Sequence, residues 1–372
     1  MSANFSSVPI LNYELAQDPA RRQEFIEQLR HALINVGFLY LSNPPVDQEL
    51  LDTLVNKYIP QLFALPDDTK LAIRMANSPH FLGYSKLGAE FTKGAVDYRE
   101  QFDFATPHIS RWKPGDPDYY SLWGPSQWPD EELVPGFRAI MERYMLQVQD
   151  VSYVFAELAS EALGLPPGKA GLARFYDTPD LMQHRSKIVK YPPVSSDAQV
   201  DQGVGPHYDA GFLTFVRSLF LLQASDHPGL QVQNLSGEWI DAPPIPKTFV
   251  VNIGKALEFV TRGLARATSH RVLSPRGNTP RYSVPFFQNI GLNVRLAGSV
   301  LDFSEDILRL RDARGSVSTT DSVNFAEFDR EPSGQVNLIG RVKSHPDVGQ
   351  IHYPELFKQL FPHGLPAIAS AY

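Results

Sequence analysis

The first third of the chain places its apolar residues with the period of an α-helix. Between residues 25 and 36 they recur three and four positions apart, Asp18-Pro19 precedes them as a helix start, and Gly37 ends the pattern. A second helical pattern covers residues 50–58. Residues 38–41 form an apolar run between these helices, which predicts a buried strand.

The longest periodic segment runs from about residue 134 to residue 163. Its apolar residues repeat at helical spacing, and Gly164 follows as a residue suited to end a helix. A stripe of this kind packs a helix against a core, so we assign it a structural role and no chemistry. It consists of Phe137, Ile140, Met141, Tyr144, Val148, Val151, Phe155, Leu158 and Ala162.

From residue 186 to about residue 290 the pattern changes to short β-rich runs separated by Gly, Pro, Asn and Asp. Frequent turn signals between short strands indicate antiparallel sheets in a sandwich or barrel. The pattern predicts one mainly β domain with flanking helices: an amino-terminal region (1–183), a β core (184–290) and a carboxy-terminal extension (291–372). The predicted core strands cover residues 187–191, 212–215, 230–232, 248–253 and 281–287.

Composition narrows the kinds of partner and site. The 372 residues are 43% hydrophobic and 20% charged, as in an ordinary globular protein. The net charge of −7 disfavours nucleic acid and anionic membranes as partners, so we expect a small-molecule substrate. The absence of cysteine excludes disulfides, cysteine-ligated zinc, iron–sulfur clusters and thiol nucleophiles. Any metal must therefore be bound by His, Asp or Glu.

The sequence carries no signal for export or membrane insertion. Residues 1–17 contain no basic segment followed by an apolar stretch. No apolar run reaches the length of a membrane-spanning helix. We therefore expect a cytoplasmic protein, and the sequence does not predict its oligomeric state.

A candidate metal site lies in Gly205-Pro206-His207-Tyr208-Asp209. Residues two apart on a strand share a face and lie roughly 6.6 Å apart, so His207 and Asp209 can point at one ion while Tyr208 points away. His270, on a later β-like segment, offers a third ligand. Two imidazoles and one carboxylate leave coordination positions open, as a non-haem Fe(II) oxygenase requires.

A second His-x-Asp motif, His345-Pro346-Asp347, is interpreted differently. Proline is disfavoured inside strands away from their edges. No third ligand combined with an anion-binding pair follows this motif. We therefore expect it to be structural or on the surface.

Arg281-Tyr282-Ser283 is a candidate anion-binding pair. Arg281 and Ser283 share a strand face, and a guanidinium with a hydroxyl is well suited to bind a carboxylate. The apolar run Val284-Pro285-Phe286-Phe287 follows at once, and an arginine that enters such a strand needs a partner anion. A dicarboxylate bound there could reach the metal with its other end.

Together these residues make the chain resemble the isopenicillin N synthase-like family of Fe(II)/2-oxoglutarate-dependent dioxygenases. The resemblance extends over most of the chain, and the order and spacing of several short motifs make it specific. Beside the residues above, the motifs are Val8-Pro9-Ile10, Val36-Gly37-Phe38-Leu39-Tyr40, Gly83-Tyr84, Arg99-Glu100-Gln101-Phe102, Lys190-Tyr191-Pro192-Pro193, Gly229-Leu230-Gln231-Val232, Val251-Asn252-Ile253-Gly254 and His270-Arg271-Val272-Leu273.

The resemblance implies a double-stranded β-helix (jelly-roll) core with iron at its mouth. It implies that His207, Asp209 and His270 bind Fe(II), that Arg281 and Ser283 bind the distal carboxylate of 2-oxoglutarate, and that Tyr191 contacts the same molecule. The implied reaction uses O2 to oxidise a small organic molecule by hydroxylation, desaturation or related C–H oxidation, and releases succinate and CO2. The protein then needs no catalytic residues beyond the metal centre, because it contributes position and exclusion of water.

Substrate contacts are harder to predict. Phe287, Phe104, Phe81 and Tyr84 could line an aromatic pocket. Because aromatic residues at such positions more often lie in the core, only Phe287 is retained as a substrate contact. Arg99 and Glu100 could simply pair with each other.

Two features depart from the family pattern. Residues 216–220 look like an insertion within a core strand, which would shift the facing of that strand unless a bulge or loop absorbed it. Lys255 stands where an aspartate is common, and we interpret it as variation around the site that leaves the metal in place.

Three alternative functions remain open at this point. The chain could be an Fe(II) oxidase of the same family that does not use 2-oxoglutarate, because Arg-x-Ser can bind another carboxylate. It could be a jelly-roll binding protein that has lost catalysis through the insertion. A zinc hydrolase would need a nearby general base, and the sequence identifies none.

Overall fold

Strands from most of the chain assemble into two sheets that form the centre of the fold. The computed structural model describes residues 4–92, 95–195, 202–219, 229–314 and 330–365. The strands are β1 (Ile10–Asn12), β2 (Phe38–Ser42), β3 (Gly83–Ser85), β4 (Phe91–Thr92), β5 (Ala95–Val96), β6 (Glu100–Ala105), β7 (Arg185–Tyr191), β8 (Gln202–His207), β9 (Leu213–Leu219), β10 (Leu230–Gln233), β11 (Trp239–Asp241), β12 (Thr248–Ile253), β13 (His270–Leu273) and β14 (Arg281–Gln288).

The two sheets form a jelly roll. The larger has eight strands in the order β1-β2-β12-β9-β14-β7-β6-β3, and the smaller has four in the order β11-β10-β13-β8. Neighbours in both sheets are antiparallel except β1 and β2, while β4 and β5 pair separately. Apolar side chains of both sheets, such as Val189, Val250, Val232 and Val272, form one buried cluster. The predicted fold class, mainly β with flanking helices around a jelly-roll core, is confirmed.

Helices from the amino-terminal, central and carboxy-terminal parts of the chain flank the sheets. Across the described residues, no helix combines the length and apolar character needed to cross a bilayer. The helices are α1 (Glu14–Gln17), α2 (Arg22–His31), α3 (Gln48–Thr53), α4 (Ile59–Ala64), α5 (Asp67–Ala72), α6 (Phe137–Ala162), α7 (Lys255–Val260), α8 (Glu305–Arg314), α9 (Ser333–Ser344), α10 (Pro346–His352) and α11 (Pro354–Leu360).

The long helix α6 confirms the predicted central helix and its structural role. Its apolar stripe is buried apart from the half-buried Ile140, and it packs against β9 and β14. The Tyr144 hydroxyl donates a hydrogen bond to the Val284 carbonyl at 3.1 Å. Gly164 follows the helix with φ 77°, a left-handed conformation that suits glycine. This packing supports β14, the strand that begins with Arg281.

Residues 216–219 of the supposed insertion continue β9 without a bulge. β9 pairs residue for residue with β14 from Leu213 to Leu219 and with β12 from Leu213 to Val216. Neither pairing contains a register shift, so residues 213–216 keep their predicted facing. Phe220 lies outside the described residues. The expected disturbance of the core is therefore wrong for residues 216–219.

The carboxy-terminal extension packs against the jelly roll from one side. Side chains of α9 and α10, among them Leu338 and Val348, share a buried cluster with Phe81 and Trp123. His345, between these helices, is only 6% exposed, and its Nε2 lies 2.7 Å from Oε1 of Glu90. The second His-x-Asp motif is therefore structural, and the surface position that we also considered is wrong for its histidine.

Candidate metal centre

Three side chains predicted as metal ligands meet at the mouth of the jelly roll. His207 ends β8, His270 begins β13, and the two residues face each other in the small sheet. Nε2 of His207 lies 3.8 Å from Oδ1 of Asp209, and Nε2 of His270 lies 3.9 Å from the same oxygen. One ligand atom from each residue falls within 4.8 Å of the others. This donor set suits a divalent iron with open coordination positions.

Asp209 reaches the histidines from a turn, not from a strand. We predicted that His207 and Asp209 share one strand face, but β8 ends at His207. The Asp209 carbonyl accepts a hydrogen bond from the Lys255 N–H at 2.8 Å, which ties the turn to the start of α7. The prediction brought the correct pair together, although the loop and not the strand pleat orients the carboxylate.

Hydrogen bonds orient each of the three side chains. Nδ1 of His207 donates to the Gly205 carbonyl at 2.8 Å, and Nδ1 of His270 lies 3.2 Å from the Thr268 carbonyl. A carbonyl is only an acceptor, so each Nδ1 carries the proton and each Nε2 presents its lone pair to the centre. On Asp209, Oδ2 is bonded to neighbouring side chains, which leaves Oδ1 facing the histidines.

The protonation states also suit a metal. Burial and, to a lesser extent, the nearby His207 lower the pKa of His270 to about 4, against the opposing effect of Asp209. Burial likewise lowers the pKa of His207. Burial raises the pKa of Asp209, but the two histidines and its hydrogen bonds outweigh that effect and hold it below its usual value. At neutral pH both imidazoles are therefore neutral and the carboxyl is ionised, as metal binding requires.

The hydrogen bonds on Asp209 should matter for metal affinity. Its Oδ2 accepts from Thr214 Oγ1 at 2.6 Å and from Asn252 Nδ2 at 2.7 Å. Groups that orient a ligand typically contribute 10–100-fold in metal affinity. We expect Asn252→Leu to weaken Fe(II) binding by about 10–100-fold, measured by anaerobic titration. Asn35→Leu is the control, because Asn35 lies between α2 and β2. Equal Fe(II) affinities of the two variants would contradict this role of Asn252.

Gly254 permits the close approach of α7 to the Asp209 turn. A Cβ at this position would lie 2.1 Å from the Gly211 carbonyl oxygen and 3.1 Å from that of Asp209. Because the first contact is with backbone, an alanine must displace the turn that carries the carboxylate. We expect Gly254→Ala to weaken Fe(II) binding at least about tenfold while the protein stays folded. Gly298→Ala, where a Cβ would meet no atom within 4 Å, should bind as the wild type does.

Lys255, the departure from the family pattern, does not disturb this arrangement. Its backbone supports Asp209, its ammonium pairs with Glu258, and the same ammonium lies 4.8 Å from the centre of the Tyr208 ring. The Lys255 side chain thus contacts Glu258 and Tyr208, whereas the hydrogen bond to Asp209 comes from the Lys255 backbone. An aspartate is not needed at this position for that support.

The predicted co-substrate residues share one cavity with the metal triad. This cavity, of about 80 Å³, is lined by Arg281, Ser283, Tyr191 and Phe287 together with the triad. Arg281 faces Tyr191 in register, and its guanidinium carbon lies 5.1 Å from the centre of the tyrosine ring. Burial lowers the pKa of Arg281, and Tyr191 opposes this effect. A buried guanidinium beside a hydroxyl is suited to bind a carboxylate.

The other aromatic candidates belong to the core, as expected. Phe104 is fully buried and stacks on Trp128 with ring centres 4.6 Å apart. Phe81 stacks on Tyr353 at 5.6 Å. The Tyr84 hydroxyl donates to Glu100 at 2.8 Å. None of these three aromatic side chains lines the described metal cavity.

Arg99 and Glu100 do not pair with each other, as we had considered. Arg99 pairs with Glu90 and with Asp97, whereas Glu100 pairs with Lys70 at 2.8 Å. Glu100 begins β6, where successive side chains point to opposite faces, so these neighbours cannot share partners. Sequence reasoning thus missed Arg99 as a residue that lines the metal cavity.

Lys187 is a second cavity residue that sequence reasoning missed. It lies on β7 in one alternating row with Val189 and Tyr191, and all three line the cavity. The period of two within the predicted strand 187–191 was a signal that could have found it. Thr214 and Asn252 were missed too, because hydrogen bonds to a ligand leave no pattern along the chain.

Comparisons with known proteins agree with this site. Residues 180–290 match the family model described as the 2OG-Fe(II) oxygenase superfamily. Residues 8–131 match a model described as the amino-terminal region of a non-haem dioxygenase in morphine synthesis.

Named relatives and a solved structure extend the match to most of the chain. A 2-oxoglutarate-dependent dioxygenase, frbJ, from Dothideomycetidae sp. is 43% identical over 95% of this chain and 94% of its own. A homoarginine-6-hydroxylase from Glycine max is 33% identical over 77% of this chain and 86% of its own. A full-length Neurospora crassa protein, solved in complex with alpha-KG, has the same fold, with a TM-score of 0.67 at 23% identity over 91% of this chain and 96% of its own. The chain belongs to the 2OG-Fe(II) oxygenase superfamily and is a non-haem enzyme that uses Fe(II), 2-oxoglutarate and O2 to oxidise a small molecule.

Proposed function

We propose that His207, Asp209 and His270 bind the iron, and that Arg281 and Ser283 bind the distal carboxylate of 2-oxoglutarate. The convergence of the triad and a buried arginine in one cavity carries this proposal. The bound iron would activate O2, the oxidant, which would take two electrons from the substrate C–H bond and two from 2-oxoglutarate as the latter is converted to succinate and CO2. The remaining work of the protein is to position these molecules and to exclude water.

The cavity residues divide this work between them. Arg281 supplies a fixed positive charge where the carboxylate binds, and burial strengthens that attraction. Ser283 lies two residues away on the same face of β14 and can donate its hydroxyl. Tyr191 faces Arg281 across the sheet and contributes a second hydroxyl. Apolar walls such as Leu230 limit access of water, and Phe287 forms part of the substrate side.

An anaerobic titration tests this proposal. Fe(II) is added to the apo protein, followed by 2-oxoglutarate, and the weak visible charge-transfer band of the chelate is followed. A saturable band, with succinate released once O2 is admitted, is the expected result. Iron binding without a band would favour the family's 2-oxoglutarate-independent oxidases, which the similarity to frbJ argues against. No iron binding would contradict the metal assignment and favour an inactive binding protein.

The whole chain is proposed to act as one oxygenase unit in the cytosol, on a small molecule and not on nucleic acid or membranes. The lack of cysteine suits a reducing compartment, and the net charge of −7 disfavours polyanionic partners. Cell fractionation of the tagged chain and its retention on immobilised DNA at low salt test these points. Recovery with membranes, or retention on DNA, would contradict them.

A further inference from the structure

The cavity face of β7 continues beyond the metal cavity to Arg185. Tyr191, Val189 and Lys187 line that cavity, and Arg185 is the next residue in the same alternating row. In the pairing of β7 with β14, Tyr191 faces Arg281 at one end of the row, and Arg185 faces Phe287 near the other end of β14. Tyr191 and Arg185 are six positions apart along the strand, or roughly 20 Å. Arg185 therefore lies at the end of the site away from the proposed 2-oxoglutarate contacts.

Between these ends lies a buried cluster of charges whose acids are already paired. Glu90 contacts Arg99, Lys187 at 2.9 Å and His345 at 2.7 Å. Asp97 pairs with Arg99 at 3.1 Å and also accepts a hydrogen bond from Thr92. Asp103, the remaining acid, lies 3.5 Å from Lys187 and accepts a hydrogen bond from Gln101 at 2.7 Å.

Arg185 has no carboxylate partner among the described residues. It is 4% exposed, and it donates from Nη1 to the Phe81 carbonyl at 3.1 Å and from Nη2 to the Leu122 carbonyl at 3.0 Å. These bonds use two of the five N–H groups of a guanidinium. Burial lowers the pKa of Arg185 and nearby Arg341 lowers it further, against the opposing effect of Asp103.

Arg341 reaches the same place from the carboxy-terminal extension. It projects from α9 and, together with Arg185 and Asn337, lines a narrow cavity of about 10 Å³. Its partly buried guanidinium makes no hydrogen bond and no ion pair with any described residue. Burial lowers the pKa of Arg341, and the carboxylate of Asp103 is near enough to oppose this effect but forms no ion pair with Arg341. Asp103 instead contacts Lys187 and Gln101.

The region therefore holds more positive than negative charge. Arg99, Lys187, Arg185 and Arg341 bring four cations against the three acids of the cluster. Two like charges held together where water has limited access are costly unless an anion joins them. Two guanidinium groups around a small cavity provide paired N–H donors, the arrangement that suits a carboxylate.

We propose that Arg185 and Arg341 bind a carboxylate of the substrate. The inference rests on the proposed function and adds a substrate class to it: small organic carboxylates whose oxidised carbon lies toward the metal triad. The cavity between the arginines has space for about one water-sized group and shares no lining residue with the metal cavity. Binding therefore requires the two cavities to join beside Phe287, which lines the metal cavity and faces Arg185 in register. The carboxylate end of the molecule then lies between the arginines and the rest in the metal cavity. The carboxy-terminal extension is then part of the active site.

Binding of trifluoroacetate, followed by 19F NMR line broadening, tests this site without knowledge of the substrate. The protein is first loaded with Zn(II) and saturating 2-oxoglutarate, so that the Arg281 end is occupied. We expect saturable broadening in the wild type, reversed by acetate and not by its neutral isostere acetamide. Arg341→Met should weaken this binding at least about tenfold, since it removes charge-assisted hydrogen bonds.

Matched variants make the test specific. Arg309→Met removes an arginine that is 70% exposed on α8 and should bind the probe as the wild type does. Arg341→Lys keeps the charge but not the fork and should give intermediate affinity, and it replaces Arg341→Met if that variant does not fold. No saturable broadening in the wild type, or equal broadening in the wild type and Arg341→Met, would overturn the proposal.

The titration with Fe(II) and 2-oxoglutarate separates this proposal from the proposed function. It is run on the same protein samples. A normal charge-transfer band without trifluoroacetate binding would overturn the substrate carboxylate site alone. Absence of the band would count against the metal and co-substrate assignment, whatever the arginines bind.

Discussion

Replacing His207 with alanine should remove iron binding and, with it, the charge-transfer band of the 2-oxoglutarate chelate. His207 is one of three groups whose ligand atoms meet within 4.8 Å, and its Nδ1 proton is committed to the Gly205 carbonyl, so Nε2 is the free ligand atom. When the free energy of metal binding is shared among a few ligands, each ligand contributes about 3 kcal/mol. The affinity of the protein for Fe(II) should therefore fall more than about 100-fold. Anaerobic titration with Fe(II) measures the loss.

The control for this variant is His31→Ala. His31 is an exposed histidine on α2 whose Nδ1 lies 3.1 Å from Asn35, far along the chain from the triad. It should bind iron as the wild type does, and thermal melting of both variants checks that they fold. If His207→Ala kept wild-type affinity, the iron would have to bind elsewhere, and the assignment of the triad would fail.

Replacing Arg281 with methionine should leave iron binding intact but greatly raise the 2-oxoglutarate concentration needed for the charge-transfer band. Arg281 is 3% exposed and lines the same cavity as the triad. Truncating one partner of a buried, hydrogen-bonded charge pair costs about 2–5 kcal/mol, which corresponds to at least about 30-fold in concentration. The midpoint of the 2-oxoglutarate titration at saturating Fe(II) measures this cost.

Arg281→Lys separates the charge from the shape of the group. Lysine keeps the positive charge but loses the planar fork, so its titration midpoint should fall between those of the wild type and Arg281→Met. Arg309→Met, on the exposed face of α8, should leave the midpoint unchanged. An unchanged midpoint in Arg281→Met would place the distal carboxylate elsewhere. A loss of iron binding in the same variant would instead indicate that the strand β14 had been disturbed.

The pairs of residues close in sequence could be predicted from the chain alone. His207 with Asp209 and Arg281 with Ser283 are two residues apart, and such local spacing follows from the covalent geometry of the backbone. The central helix was also predictable, because its apolar stripe repeats over more than seven turns and ends at Gly164. Bringing His270 to the same ion needed more, since local spacing only offered that distant residue as a third ligand, and the resemblance to a family supported the choice.

Contacts between distant segments required the tertiary structure. The support of Asp209 by Thr214 and Asn252 and the approach of α7 at Gly254 depend on how strands pair, which local pattern does not encode. The pairing of β9 also showed that residues 216–219 do not shift the facing of the strand, because register is set by partner strands and not by chain length.

The sequence by itself determined a mainly β fold with flanking helices, the donor types at the metal and the absence of thiol chemistry. These follow from residue identity and from periodicities of two and 3.6 residues, which act over short distances along the chain. Only the tertiary structure decided which charges have no carboxylate partner among the described residues. Arg185 and Arg341 lie 156 residues apart in sequence, and their meeting at one cavity depends on the docking of the carboxy-terminal extension. Burial and pairing of charge are properties of that packing, so no reading of local pattern could have found them.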